Sequence, residues 1–227
     1  MNFPNPLSKT ELRRGLCYLA FSLTFLPILV GLLPLSLAKL NFVFYLINFS
    51  AVLVIFRRFL GRSLTLALDR LFPTLYYAAL AYFGYEALGS LYSALVLSRF
   101  PEYFNVNDQT IIDMIRSDLP LMALATVVLV PVAEECFYRG LIFRGFYDRK
   151  PKTAYLLSML AFSAAHVMGY VGQFPPVQLL LCFIQYLPAG YCLCFAYRRS
   201  GTIISPIIVH AVVNAMSMIA VTRINYA

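Results

Sequence analysis

The chain has 227 residues, of which 61% are hydrophobic and only 12% charged, with a formal net charge of +8. A soluble domain carries about twice that charged fraction, and several apolar runs reach the roughly 20 residues needed to cross a hydrocarbon core. The basic residues sit in short segments between those runs, a pattern of membrane topology that excludes a nucleic-acid-binding role.

The expected fold is all-α, a polytopic transmembrane bundle of about seven spans. The first apolar run, 16–38, follows Lys9, Arg13 and Arg14 and is too long for a signal-peptide core, so it reads as an uncleaved span with kinks at Pro27 and Pro34. A short second span covers 40–56 and a long third 71–98. Residues 99–118 form an external loop in which Asn107 and Asp108 could cap a short helix presenting Ile111, Ile112, Ile115 and Leu119 on one face. That loop reads either as an interfacial connector or as a substrate gate. Four further spans follow at 119–143, 153–170, 177–197 and 202–221.

Basic residues cluster at 9–14, 57–70, 144–152 and 198–199, at the same end of alternate spans, so the N-terminus is expected inside and the C-terminus outside. The whole is one integral membrane domain, with 1–118 holding the N-terminal spans and external loop and 119–227 the motif-bearing helices. The five cysteines form no CxxC pair, so neither a disulfide framework nor a zinc site is implied.

An ionisable group at the centre of a membrane helix costs at least ~2.5–3.5 kcal/mol. Six lie within the spans: Glu86, Glu134, Glu135, Arg139, His166 and His210. On a helix Glu135 and Arg139 stand i,i+4 with the acid N-terminal, the favourable order for an ion pair. Glu134 points about 100° away and lacks that partner, which leaves it the freer carboxylate and a candidate general base. His166, after the small residues Ser163-Ala164-Ala165, could help Glu134 polarise a water. His210 and Asn214 are i,i+4 and offer two donors to an oxyanion. At ~1.5 Å per residue Glu134, His166 and His210 fall near mid-membrane and could converge. Glu86 has no assigned partner.

Together EExxxR (Glu134, Glu135, Arg139), FxxxH (Phe162, His166) and HxxxN (His210, Asn214) resemble the CPBP family. That family comprises CaaX prenyl endopeptidases and bacteriocin-processing or Abi-type proteins. The likeness covers about 119–221; the first three spans carry no signature. It implies an intramembrane glutamic endopeptidase in which Glu134 and His166 activate water, His210 and Asn214 bind the oxyanion, and Glu135 and Arg139 support them. It implies no metal and no cofactor. The partners are the lipid bilayer and a membrane-associated peptide or protein tail, and the small size points to a prokaryotic cytoplasmic membrane. The competing readings are a metal-dependent protease, a sorting enzyme with Cys136 as nucleophile, and a non-catalytic scaffold or immunity protein.

Overall fold

The computed structural model describes residues 3–226, and its long helices follow the apolar runs and their breakers. Nine helices are present among the described residues: α1 (Lys9–Gly31), α2 (Leu37–Ile55), α3 (Arg57–Asp69), α4 (Leu71–Leu97), α5 (Val106–Ser117), α6 (Leu119–Tyr147), α7 (Pro151–Val167), α8 (Pro176–Ser200) and α9 (Ile204–Tyr226). Six of them, α1, α2, α4, α6, α8 and α9, are long and apolar enough to cross a membrane. The expected fifth span is α7, whose 17 residues reach about 25 Å, continued by the 3₁₀ turn Met168–Tyr170. The outer faces of α1, α2 and α4 expose large apolar side chains such as Phe25, Phe72 and Phe83, the surface a bilayer covers.

Local signals set the ends. Ser8 caps α1 in a reciprocal box with Glu11, Glu11 N–H to Ser8 Oγ at 3.2 Å and Ser8 N–H to Glu11 Oε2 at 2.9 Å. Gly201, at φ +81°, closes α8 in the left-handed conformation that other residues adopt at a cost. The cap of α5 is Asn105, which accepts from the N–H groups of Asn107 and Asp108, and not Asn107 or Asp108 as the sequence suggested. The difference is one turn-forming Asn choosing between neighbouring positions.

The 57–70 segment, read as a basic inner loop, folds as the amphipathic helix α3. Phe59, Ser63 and Ala67 form its buried i,i+4 stripe, while Arg57, Arg58 and Leu68 are exposed. Its buried side is pinned by polar contacts: Phe59 N–H donates to Glu11 Oε1 at 2.9 Å, Asn5 Nδ2 to Ser63 Oγ at 2.6 Å and Thr202 Oγ1 to the Ser63 carbonyl at 2.7 Å.

The core ties the N-terminal spans to the motif-bearing helices. One apolar cluster joins Phe3, Phe56 and Phe59 to Cys136, Phe143 and Tyr197. A second joins Ala78 and Ala81 of α4 to Tyr138, Phe162, Ala196 and Val209. α7 and α8 approach closely at Gly190, where a Cβ would stand 3.0 Å from Met159 Cα. Backbone cannot yield there as a side-chain tip could. Gly190→Val is expected to lower stability by about 1–3 kcal/mol, read as a drop in the thermal midpoint in detergent, with Gly84→Ala, whose Cβ would meet Cys192 Sγ at 3.6 Å, near neutral.

Candidate active site

The site is built on α6, which is not uniform. Its turns Ala125–Leu129 and Cys136–Phe143 are π-helical, and the α-helical piece Val130–Glu135 between them carries both glutamates. Widened turns weaken the helix's own hydrogen bonding, and neighbours supply donors. Asn214 Nδ2 donates to the Thr126 carbonyl in the first widened stretch at 2.7 Å, and Ser158 Oγ to the Tyr138 carbonyl in the second at 2.9 Å.

The two glutamates part as the helix phase requires. Glu135 is wholly buried and accepts at Oε1 from Arg139 Nη1 (3.0 Å) and His210 Nδ1 (2.9 Å). Arg139 is equally buried, its guanidinium 4.4 Å above the Phe162 ring, with Nη2 3.4 Å from the Gly190 carbonyl. Among the described residues Glu134 has no cation; its Oε1 accepts from the Tyr45 hydroxyl of α2 at 2.7 Å, and its buried Oε2 has no hydrogen-bond partner.

The histidine tautomers follow from their neighbours. His166 Nδ1 lies 2.8 Å from the Phe162 carbonyl, an acceptor only, so Nδ1 carries a proton and, in the neutral ring, Nε2 is the nitrogen with the lone pair. His210 Nδ1 meets a carboxylate already paired to arginine, so it too is the donor. Both imidazoles pack on Phe162, at ring-centroid distances of 4.4 Å and 6.0 Å. The phenylalanine of the FxxxH motif therefore seats Arg139, His166 and His210 around one ring.

A cavity of about 1080 Å³ opens among the helices, and Glu134, His166, His210 and Asn214 all line it, as does Tyr45. Glu135 and Arg139 lie behind its wall. Cys136 is fully buried in the apolar core and does not line the cavity, which argues against a cysteine nucleophile. Among the described residues no three His, Cys, Asp or Glu side chains are grouped to hold a metal ion. Glu86 is exposed on α4, away from the cavity lining.

Two features escaped the sequence reading. The first is Tyr45, which no motif marks; Asn41, Phe44, Tyr45 and Asn48 form one cavity-facing stripe at helical spacing. The second is the role of α5, whose Asn107, Asp108, Ile111, Ile112 and Ile115 wall the cavity. It is held by the Tyr186 hydroxyl, which donates to Asp108 Oδ1 at 2.6 Å while its ring lies 4.1 Å from that of His166.

Asp108 opens onto the cavity, and the protein packed around it pushes its carboxyl above the ordinary carboxylate range, against the lowering effects of Tyr186 and His166. A carboxyl raised in the folded state stabilises below its unfolded value and loses that contribution as pH rises through the folded one. Docking of α5 should therefore loosen as pH rises out of the carboxylate range. Hydrogen exchange of α5 amides, corrected for intrinsic rate, should show falling protection with pH in the wild type and a flat profile in Asp108→Asn.

Fold and cavity define the class: an integral membrane protein enclosing a polar site among its helices. Residues 116–216, the stretch that holds all three motifs, match the family described as Type II CAAX prenyl endopeptidase Rce1-like. The chain is 28% identical over 114 residues to a Bacillus subtilis protein named Putative membrane peptidase YdiL, a stretch covering 50% of this chain and 42% of that relative. The chain thus spans less than half the length of that relative. No solved structure matches it.

Proposed function

We propose that the protein is a membrane endopeptidase that hydrolyses a peptide bond in a membrane-associated peptide or protein tail, with water activated at Glu134. The observation that carries this reading is that the chemistry-bearing groups of three separate motifs, Glu134, His166, His210 and Asn214, line one cavity. In the step proposed, the water oxygen attacks the scissile carbonyl carbon while Glu134 Oε2 takes a water proton and His166 Nε2 accepts from the same water. The carbonyl oxygen becomes an oxyanion beside His210 and Asn214. Glu134 then returns the proton to the departing amine as the C–N bond breaks.

The hydrogen bonds define what each donor can give. Asn214 spends one amide N–H on Thr126 and keeps the other. His210, with Nδ1–H on Glu135, presents an N–H at Nε2 only as the imidazolium. In that form Glu135 would stand between two cations, and the net positive charge of the group, with His210 at the cavity surface, favours a developing oxyanion.

The membrane peptidome separates this from a scaffold role. Cells carrying wild type and Glu134→Ala should differ in a discrete set of peptides or tails; identical profiles would overturn the proposal.

A further inference from the structure

Glu134 stands in the stretch that matches the family, but the group that holds it does not. Tyr45 lies on α2, well before residue 116, and its hydroxyl donates to Glu134 Oε1 at 2.7 Å. Resting on the peptidase reading above, we propose that Tyr45 is a positioning residue for the general base. It fixes one carboxylate oxygen so that the other faces the reacting water.

A glutamate's last torsion has a broad, nearly two-fold well, so an unpinned carboxylate swings. Glu134 has no cation, and Tyr45 is its one hydrogen-bond donor among the described residues. Removing the pin would leave the base free to rotate away from a productive line, and small misplacements at a reacting centre are costly in rate.

The pin is itself held. Tyr45 packs against the apolar cluster that contains Ala133 and Phe137, one residue before and three after Glu134. One turn on, Asn48 donates to the Phe44 carbonyl at 2.9 Å and accepts from Ser22 Oγ of α1 at 2.6 Å, both deep in the bundle. That hydrogen bond locks α2 in rotation against α1. Tyr45 is therefore presented by a rigid element, as a positioning group needs to be, and the spans that carry no motif complete the site.

An interhelical hydrogen bond of purely structural value would connect the same atoms, so the test must read the carboxylate and the chemistry separately from stability. The protein, reconstituted in liposomes, is examined by infrared spectroscopy, the Glu134 band being the one lost in Glu134→Gln. Tyr45→Phe should shift that band, and 3-fluorotyrosine at position 45, which keeps the shape and strengthens the donor, should shift it the opposite way. Turnover is measured on a quenched-fluorescent peptide built on the cleavage site that the peptidome comparison identifies. Tyr45→Phe should lower kcat about 10- to 100-fold with KM changed less than about threefold, and the fluorinated protein should retain activity.

Each other outcome counts against something definite. An unmoved band in both substituted proteins would overturn the hydrogen bond. A shifted band with unchanged kcat would leave Tyr45 a helix-to-helix tie and overturn the positioning role. A Glu134→Gln protein that cleaves at the wild-type rate would overturn the peptidase reading, whatever Tyr45 does. Should Tyr45→Phe fail to fold, the fluorinated protein decides alone: an unmoved Glu134 band, or a lost kcat in a folded protein, overturns the proposal.

Discussion

Glu134→Gln is expected to lower turnover by about 10²- to 10⁴-fold, the range a positioned general base contributes, while leaving the protein folded. Glutamine fills the same volume, and its amide oxygen can still accept from the Tyr45 hydroxyl that now meets Oε1 at 2.7 Å. What it cannot do is take a proton from water. Because Glu134 has no ion pair among the described residues, none of their cations is orphaned by the change. The thermal midpoint should stay within a few degrees of wild type, and the loss should appear in kcat with KM little changed. Wild-type kcat in Glu134→Gln, measured on the quenched peptide, would remove Glu134 from the chemistry.

The neighbouring position should behave in the opposite way. Glu135 and Arg139 are both wholly buried and paired at 3.0 Å, and breaking a buried pair from one side leaves an uncompensated charge, at a cost of about 3–5 kcal/mol. Arg139→Met should thus destabilise the bundle strongly, in contrast to Glu134→Gln. His210 would keep its bond to Glu135, which softens the loss but does not replace the guanidinium. The double change Glu135→Gln with Arg139→Met leaves no ion unpaired and should recover part of the stability. Denaturant unfolding of both single variants and the double measures the coupling; strict additivity would show that the pair does not act as a unit.

Much of this was legible in the sequence, and the exceptions have a common cause. Apolar runs and helix breakers locate the spans because a bilayer demands about 20 apolar residues, a strong and local signal. The division between Glu134 and Glu135 follows from i,i+4 geometry on one helix, and Arg139 sits where that spacing puts it. The Tyr45 contact spans 89 positions between two helices, and no spacing along either helix encodes which of their faces meet. α3 was missed for a different reason. Its buried stripe is built of one aromatic and two small residues, so the eye sees arginines. The bond from His210 to Glu135 likewise depends on how α9 packs on α6, which a reading of the HxxxN motif alone does not contain.

The two π-helical stretches of α6 have a consequence for how this chain can vary. Each widened turn acts as a one-residue insertion accommodated inside the helix, slipping its phase by about 100°. A helical wheel drawn straight through Leu119–Tyr147 therefore misplaces everything beyond the first slip. Removing a single residue from Ala125–Leu129 would shorten the helix by about 1.5 Å and could restore regular winding, so the bundle would tolerate it as length. Yet it would turn both glutamates about their axis, away from Tyr45 and the imidazoles. In this helix a one-residue deletion is thus a change of address for the carboxylates, more damaging than many substitutions at the same place.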